Sequence, residues 1–230
     1  MSVKQWQKLP KNMQNEAVRP YFDSLTKKKF TLFVKRFMDI IIASIVILIL
    51  SPVLLGATIA VAVGSKGPVF YLQRRVGRFG KEFSIFKFRT MVVNADKIGT
   101  QITVGEDDPR ITKVGKFLRT TRIDEFPQMF NILKGDMTLV GTRPEVARYV
   151  NEYSDEMMAT LLLRPGATGA ASLAYRYEND MLAGKEDPEK YYIETILPDK
   201  MAINLEYTRK LSLWEDIKIL AKTVLCVIKK

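Results

Sequence analysis

Ile40 to Ser65 reads IIIASIVILILSPVLLGATIAVAVGS, 26 residues without a charge. As one helix it would extend about 39 Å, against a bilayer hydrocarbon core of about 30 Å. Length alone therefore allows it to span. Ser51-Pro52 falls near its middle, where proline removes a backbone donor and bends a helix, leaving Ile40 to Leu50 as an arm of about 16 Å that reaches only the midplane. Basic residues flank both sides: Lys27, Lys28, Lys29, Lys35 and Arg36 before, and Lys66, Arg74, Arg75, Arg78 and Lys81 after. A proline-kinked spanning helix fits the length. A re-entrant hairpin that dips in and returns to one face fits the length and also keeps both basic flanks on the cytoplasmic side.

Upstream, residues 1 to 29 are polar and basic with no secretory pattern, so residues 1–34 read as a cytoplasmic N-terminal extension, 35–66 as the membrane segment and 67–230 as a cytoplasmic domain. The whole chain has 230 residues, 36 Lys+Arg against 25 Asp+Glu, and a net charge of +11, which favours polyanionic partners. Histidine is absent, which excludes His triads, His metal sites and imidazole acid–base chemistry. Any catalysis must fall to carboxylates, Lys, Arg, Ser/Thr or Tyr. The one cysteine, Cys226, excludes an internal disulfide and sits in an apolar helical pattern.

Downstream, aromatic and β-branched runs from Gly67 to Met91 lie on either side of Gly77-Arg78-Phe79-Gly80 and read as a β-hairpin carrying a row of cations. Such a hairpin suits solvated lysines over a packed core, or stacking and phosphate contact with single-stranded nucleic acid. An acidic loop at residues 106–110 follows. Lys113 to Thr121 then gives a short basic amphipathic helix able to lie on a bilayer. A helix ends at Gly135, Met137 to Val140 reads as a strand, and apolar residues at helical spacing predict a helix from Glu145 to Leu163. Asp187-Pro188 opens another helix, and Ser212-x-x-Glu215 opens the last, whose Trp214, Ile217, Leu220, Ala221, Val224 and Leu225 face either the core or a membrane surface.

Between these elements lies Arg122-Ile123-Asp124-Glu125-Phe126-Pro127, two adjacent carboxylates where a loop becomes a helix, with Arg119 and Arg122 before and Arg143 after. Asp-Glu at a helix start is an ordinary cap and first-turn acid. It is also a place where backbone N–H groups and arginines would hold a phosphate in front of two carboxylates.

Ordered blocks from Lys35 to Gly169 carry a further signal. Lys35-Arg36-Phe37-Met38-Asp39, Ser51-Pro52, Gly67-Pro68-Val69-Phe70, Lys87-Phe88-Arg89-Thr90-Met91, Asp124-Glu125-Phe126-Pro127-Gln128 and Leu133 to Pro144 together resemble the bacterial sugar transferases, small monotopic phosphoglycosyl transferases acting on polyprenyl phosphate. The resemblance implies a re-entrant membrane helix broken at Ser51-Pro52 in the bacterial inner membrane, with the active site on its cytoplasmic face. It implies transfer of a sugar-1-phosphate from a UDP-sugar to undecaprenyl phosphate, with Mg²⁺ as cofactor and release of UMP. Asp124 then matches the nucleophile, and Glu125 its carboxylate partner, with both as candidate Mg²⁺ ligands; Lys87, Arg89, Arg122 and Arg143 are the cations expected on phosphates. Anionic inner-leaflet lipids, rather than nucleic acid, are the implied surface partner. Thr142 departs mildly from the family's Gly-Pro-Arg-Pro, and Ala171 to Glu178 departs more strongly, at a place suited to sugar or base selection. A basic membrane-tethered module that binds nucleic acid or protein without catalysis is the competing class. The fold expected is α+β and mainly helical: a re-entrant hairpin, a β-hairpin and interfacial amphipathic helices.

Overall fold

The computed structural model describes residues 5–95 and 108–228, apart from the side chains of Asn179, Val227 and Ile228. Part of the expected acidic loop at 106–110 lies outside them. From Asp108 onward it is a closed unit in which the Arg110 guanidinium chelates the Asp108 carboxylate at 2.6–3.1 Å.

The N-terminal segment folds into short 3₁₀ turns at Trp6–Lys8 and Lys11–Met13, then α1 (Arg19–Lys27). Met13, Val18, Tyr21, Phe22 and Leu25 are buried in the main core, so the basic extension is part of the domain from its first turns. The Tyr21 hydroxyl donates to Glu156 at 2.6 Å, and Lys28 donates to the carbonyls of Arg209 and Leu211, both at 2.9 Å.

Helix α2 (Lys29–Gly64) is the one helix, among the described residues, long and apolar enough to cross a membrane. The break expected at Ser51-Pro52 is not a gap, because the helix runs through it with Pro52 inside. Proline lacks the N–H that would bond the Leu48 carbonyl four residues back. The Ser51 hydroxyl donates to that same carbonyl at 2.8 Å, which keeps the turn bonded where proline leaves it short. The middle of α2 is exposed, with Leu48 at 75% and Ile49 at 68% of full accessibility, whereas its two ends return to the domain. At one end Lys35 donates to Val140 O (2.8 Å) and Asp216 (2.6 Å), Arg36 to the carbonyls of Ile132 and Leu133, and Asp39 accepts from Thr138 and Leu139. At the other end Ala57 and Val61 pack with buried Phe88 and Leu118.

The expected hairpin is β1 (Phe70–Val76) antiparallel to β2 (Glu82–Phe88), with Phe70 opposite Phe88 and Val76 opposite Glu82. Helix α3 (Lys113–Thr120) is capped by the Thr112 side chain accepting from Gly115 N. Gly115 has to be glycine, since a Cβ there would sit 1.9 Å from the Thr90 carbonyl oxygen. Helix α4 (Gln128–Lys134) ends on Gly135 at φ +95°, a left-handed position that glycine takes without strain. Asn131 on α4 is fully buried and uses its amide as a short strand: Oδ1 accepts from Phe86 N at 2.9 Å, and Nδ2 donates to Ser84 O at 2.8 Å. That fastens α4 to the free edge of β2.

Strand β3 (Thr138–Val140) pairs in parallel with β4 (Gly166–Thr168). Between them the long helix expected over Glu145–Leu163 is replaced by α5 (Ala147–Val150) and a 3₁₀ helix, Met157–Leu162. Met158 through Leu162 are all buried, and five consecutive buried residues cannot lie on one face of an α-helix. Helices α6 (Ala170–Ala174) and α7 (Glu178–Leu182) follow, and then α8 (Pro188–Tyr191), capped by Asp187 accepting from Lys190 N. α8 runs through a π-helical turn, Tyr192–Ile196, into α9 (Leu197–Lys210). The last helix, α10 (Leu213–Ile228), buries Asp216 and Ile219. Trp214 (63%), Ile217, Val224 and Leu225 are exposed, so much of the apolar stripe noted in the sequence faces outward. The architecture is mainly helical with two small two-stranded sheets, an α+β arrangement.

Candidate active site

Asp124 and Glu125 do not start an α-helix. They lie in a 3₁₀ turn, Ile123–Glu125, entered through Arg122 at φ +60° and separated from α4 by Phe126 and Pro127; neither carboxylate caps a backbone N–H of its turn. Pro127 has no N–H to extend a helix backwards, so the chain tightens before α4 begins. The helix-start phosphate site expected from the sequence is therefore replaced by side chains arriving from other elements.

Two of the expected cations are among them. Lys87 on β2 donates to Glu125 Oε1 at 2.9 Å, and Arg143, in the turn after β3, donates to the same oxygen at 2.8 Å. Burial by itself would raise the Glu125 pKa, but Arg143 and Lys87 outweigh it and hold the group well below the usual carboxylate range. The Glu125 carboxylate in turn holds Arg143 firmly protonated, above its ordinary value.

Asp124 is treated in the opposite way. Its Oδ1 is buried and has no hydrogen-bond partner. Burial, and then the neighbouring Glu125 charge, push its pKa up, with partial relief from Lys87, Arg119 and Arg122. The turn thus presents one carboxylate saturated with cations beside one that is ionisable and unengaged.

The other expected residues are placed differently. Arg89 is buried, but it turns away from Glu125 and donates from NH2 to the carbonyl and hydroxyl of Ser65 just past the end of α2, leaving its Nε and NH1 without partners. Arg122 is exposed at the corner before Asp124. Ser51 and Pro52 lie in the exposed middle of α2. Arg119, which the sequence places only nearby, donates to Thr90 at 2.9 Å and bears electrostatically on Asp124.

Among the described residues no group of three or more His, Cys, Asp or Glu could hold a metal. A divalent ion at this turn would draw on the free Asp124 oxygen, with further ligands from a bound anion and water. That is a donor set Mg²⁺ accepts, since it keeps several waters and uses one or two carboxylates with substrate phosphates.

Sequence reasoning missed a second polar cluster behind Arg143. Glu145, buried, accepts from the Tyr192 hydroxyl at 2.8 Å and from Lys200 at 3.4 Å, and lies 3.6 Å from the Arg75 guanidinium. Lys200 also donates to Glu178 at 2.8 Å. The one signal available was the position of Glu145 directly after Arg143-Pro144.

A family model described as bacterial sugar transferase matches residues 30–230. The chain is 38% identical over 204 residues to the UDP-N-acetylgalactosamine-undecaprenyl-phosphate N-acetylgalactosaminephosphotransferase of Aeromonas hydrophila, covering 87% of this chain and 45% of that protein. It is 41% identical over 195 residues to the UDP-glucose:undecaprenyl-phosphate glucose-1-phosphate transferase of Escherichia coli K12, covering 83% of this chain and 39% of that one. A protein of the same name from Caulobacter vibrioides is 36% identical over 194 residues, covering 83% of this chain and 68% of that one. The chain thus spans less than half the length of the first two.

Proposed function

The chain belongs to the bacterial sugar transferase family, and from that premise we propose that it transfers a sugar-1-phosphate from a UDP-sugar to undecaprenyl phosphate. Such a reaction would be the first membrane step of exopolysaccharide, capsule or glycoconjugate synthesis. The observation that carries this reading is the contrast within the Asp124–Glu125 turn. A nucleophilic carboxylate needs a free oxygen, and Asp124 Oδ1 has no partner. A diphosphate needs cations held in place beforehand, and Glu125 fixes Lys87 and Arg143 beside it.

In this reading Asp124 attacks the sugar-bearing phosphorus, the bond from that phosphorus to the bridging oxygen breaks, and UMP leaves with the bridging oxygen. The sugar phosphate is then an acyl phosphate on Asp124. A phosphate oxygen of undecaprenyl phosphate attacks the same phosphorus, forming the new diphosphate and returning Asp124 as a carboxylate. Lys87 and Arg143 offset the charge that shifts onto the leaving UMP. When bound, Mg²⁺ would be held by Asp124 rather than by Glu125, whose carboxylate is taken by Lys87 and Arg143, and would supply charge neutralisation.

Purified protein in detergent should turn over a UDP-sugar to UMP continuously only when polyprenyl phosphate and Mg²⁺ are both present, releasing no more than one equivalent per enzyme without the lipid, and a panel of UDP-sugars identifies the donor. Asp124→Asn should trap no labelled sugar phosphate. Adduct formation by that variant would assign the nucleophile elsewhere, and tight oligonucleotide binding with no UMP from any donor would favour the non-catalytic class.

The topology belongs to the same proposal: α2 enters the cytoplasmic leaflet of the inner membrane and returns, with the active site on the cytoplasmic face among anionic lipids. Support comes from its two ends, both fastened to one domain while its apolar middle stands free. In a Cys226→Ser background, Lys11→Cys and Lys81→Cys should both resist an impermeant thiol reagent on intact cells. Strong labelling of Lys11→Cys would overturn the hairpin.

A further inference from the structure

Arg143 is anchored at its tip by Glu125, but the turn that carries it is held from behind by residues the proposed chemistry does not use. The backbone N–H of Val76 donates to the Glu145 carbonyl at 2.8 Å, and Arg75, its neighbour on β1, donates to the Pro144 carbonyl at 3.2 Å. These bonds tie the residues just after Arg143 to β1. On the far side the Glu145 carboxylate meets Tyr192 and Lys200, so one buried glutamate joins the hairpin to the π-turn and α9. Lys200, itself 6% exposed, is shared among Glu145, Glu178 and the Tyr192 hydroxyl, the last at 3.0 Å.

Buried charges cost free energy unless each is paired, and here Glu145 is paired with both Arg75 and Lys200, although Arg75 Nε is left without a hydrogen bond. Removing Lys200 would leave Glu145 and Glu178 short of a cation. Removing the Glu145 charge would set Arg75 and Lys200 against each other beneath the turn. Glu145 bears electrostatically on Arg143, and its backbone is held two residues past Arg143 by β1.

We propose that Glu145 and Lys200 are positioning residues whose buried network, completed by Arg75, Tyr192 and Glu178, sets the Arg143 guanidinium where it receives the diphosphate of the donor. This rests on the transferase reading for its substrate, but the geometry can be tested without turnover.

The test compares the full-length native protein in detergent with Lys200→Met, Glu145→Gln, Arg143→Ala and the conservative Lys200→Arg. Inorganic pyrophosphate binding is read by titration calorimetry, UMP release by steady-state kinetics, and folding by thermal melting. Lys200→Met and Glu145→Gln should weaken pyrophosphate binding about as much as Arg143→Ala does. They should lower kcat by up to about a hundredfold, the scale of a misplacement near 1 Å, with a smaller change in KM. Lys200→Arg should recover most of both. The double variant Lys200→Met/Arg143→Ala should be no worse than Arg143→Ala alone, because both changes remove the same contact. Lys200→Met with native pyrophosphate affinity and kcat would overturn the proposal, whatever its melting temperature. So would a losing variant that Lys200→Arg does not rescue, or native protein that does not bind pyrophosphate. Loss of pyrophosphate binding in Lys200→Met, with no UMP release by the native protein, would uphold the positioning role and remove the transferase reading instead.

Discussion

Asp124 and Glu125 are neighbours in the chain and opposites in electrostatic condition, and stability should report this independently of any assay of turnover. Asp124 has its folded pKa raised by burial and by Glu125. The folded state therefore holds that proton more tightly than the unfolded chain, and stability falls as pH rises from the unfolded value of about 3.9 through the raised one. Asp124→Asn removes this loss. It should melt higher than the native protein at pH 7, and the difference should disappear near pH 3, where both side chains are neutral. Glu125 carries the opposite sign: its folded pKa is depressed, so its contribution is present above the ordinary glutamate pKa and is lost as pH falls through the depressed one. Glu125→Gln should therefore melt lower at pH 7, since Lys87 and Arg143 are left facing each other. If Asp124→Asn melts lower than native at pH 7, the buried oxygen is engaged after all.

At the scale of elements, the placement of the turn depends on Asn131, which binds α4 to β2 through two bonds made by one side chain. Asn131→Ala leaves the Phe86 N–H and the Ser84 carbonyl without these bonds and opens a small void beside them. A loss of about 3 kcal/mol is expected from chemical denaturation, along with loosening of Lys87 from Glu125. A change below about 1 kcal/mol would show that water replaces the amide. Elements of this kind divide into those the sequence announces and those it does not. The hairpin, α3, the end of α4 at Gly135, β3 and the start of α10 were legible, because each is specified locally by a turn, a cap or a glycine. The Glu145–Leu163 segment was not, because its apolar spacing fits a helix while the core takes five consecutive residues of it. The Asp124–Glu125 turn was located by resemblance more than by spacing. Its partners Lys87 and Arg143 stand 38 and 18 residues from Glu125, and the opposite turn of Arg89 toward Ser65 has no sequence signal at all. The amide strand of Asn131 and the cluster around Lys200 exist only once distant segments meet, and no periodicity encodes them.

Over the whole molecule, the N-terminal turns seal the domain. Val18 is fully buried among residues drawn from α1, the 3₁₀ helix Met157–Leu162 and α9. Val18→Asp would bury a charge with nothing to pair it, and should abolish the cooperative melt even though it lies outside the matched family region. Retention of a native melt would mean that residues 5–18 can detach without consequence. The bond from Lys28 to the carbonyl of Arg209 spans 181 positions of chain. At a ribosomal pace of about 5–20 residues per second, that is roughly 10–40 s between the appearance of one partner and the other. The apolar helix that starts at Lys29 is ready to partition into lipid long before the clasp at its base has been synthesised. Under the proposed topology lipid would cover its apolar middle during that interval, while β2, α3, α4 and β3 emerge and pack against its two ends, so the clasp from Lys28 to Arg209 closes last around a helix already held by both.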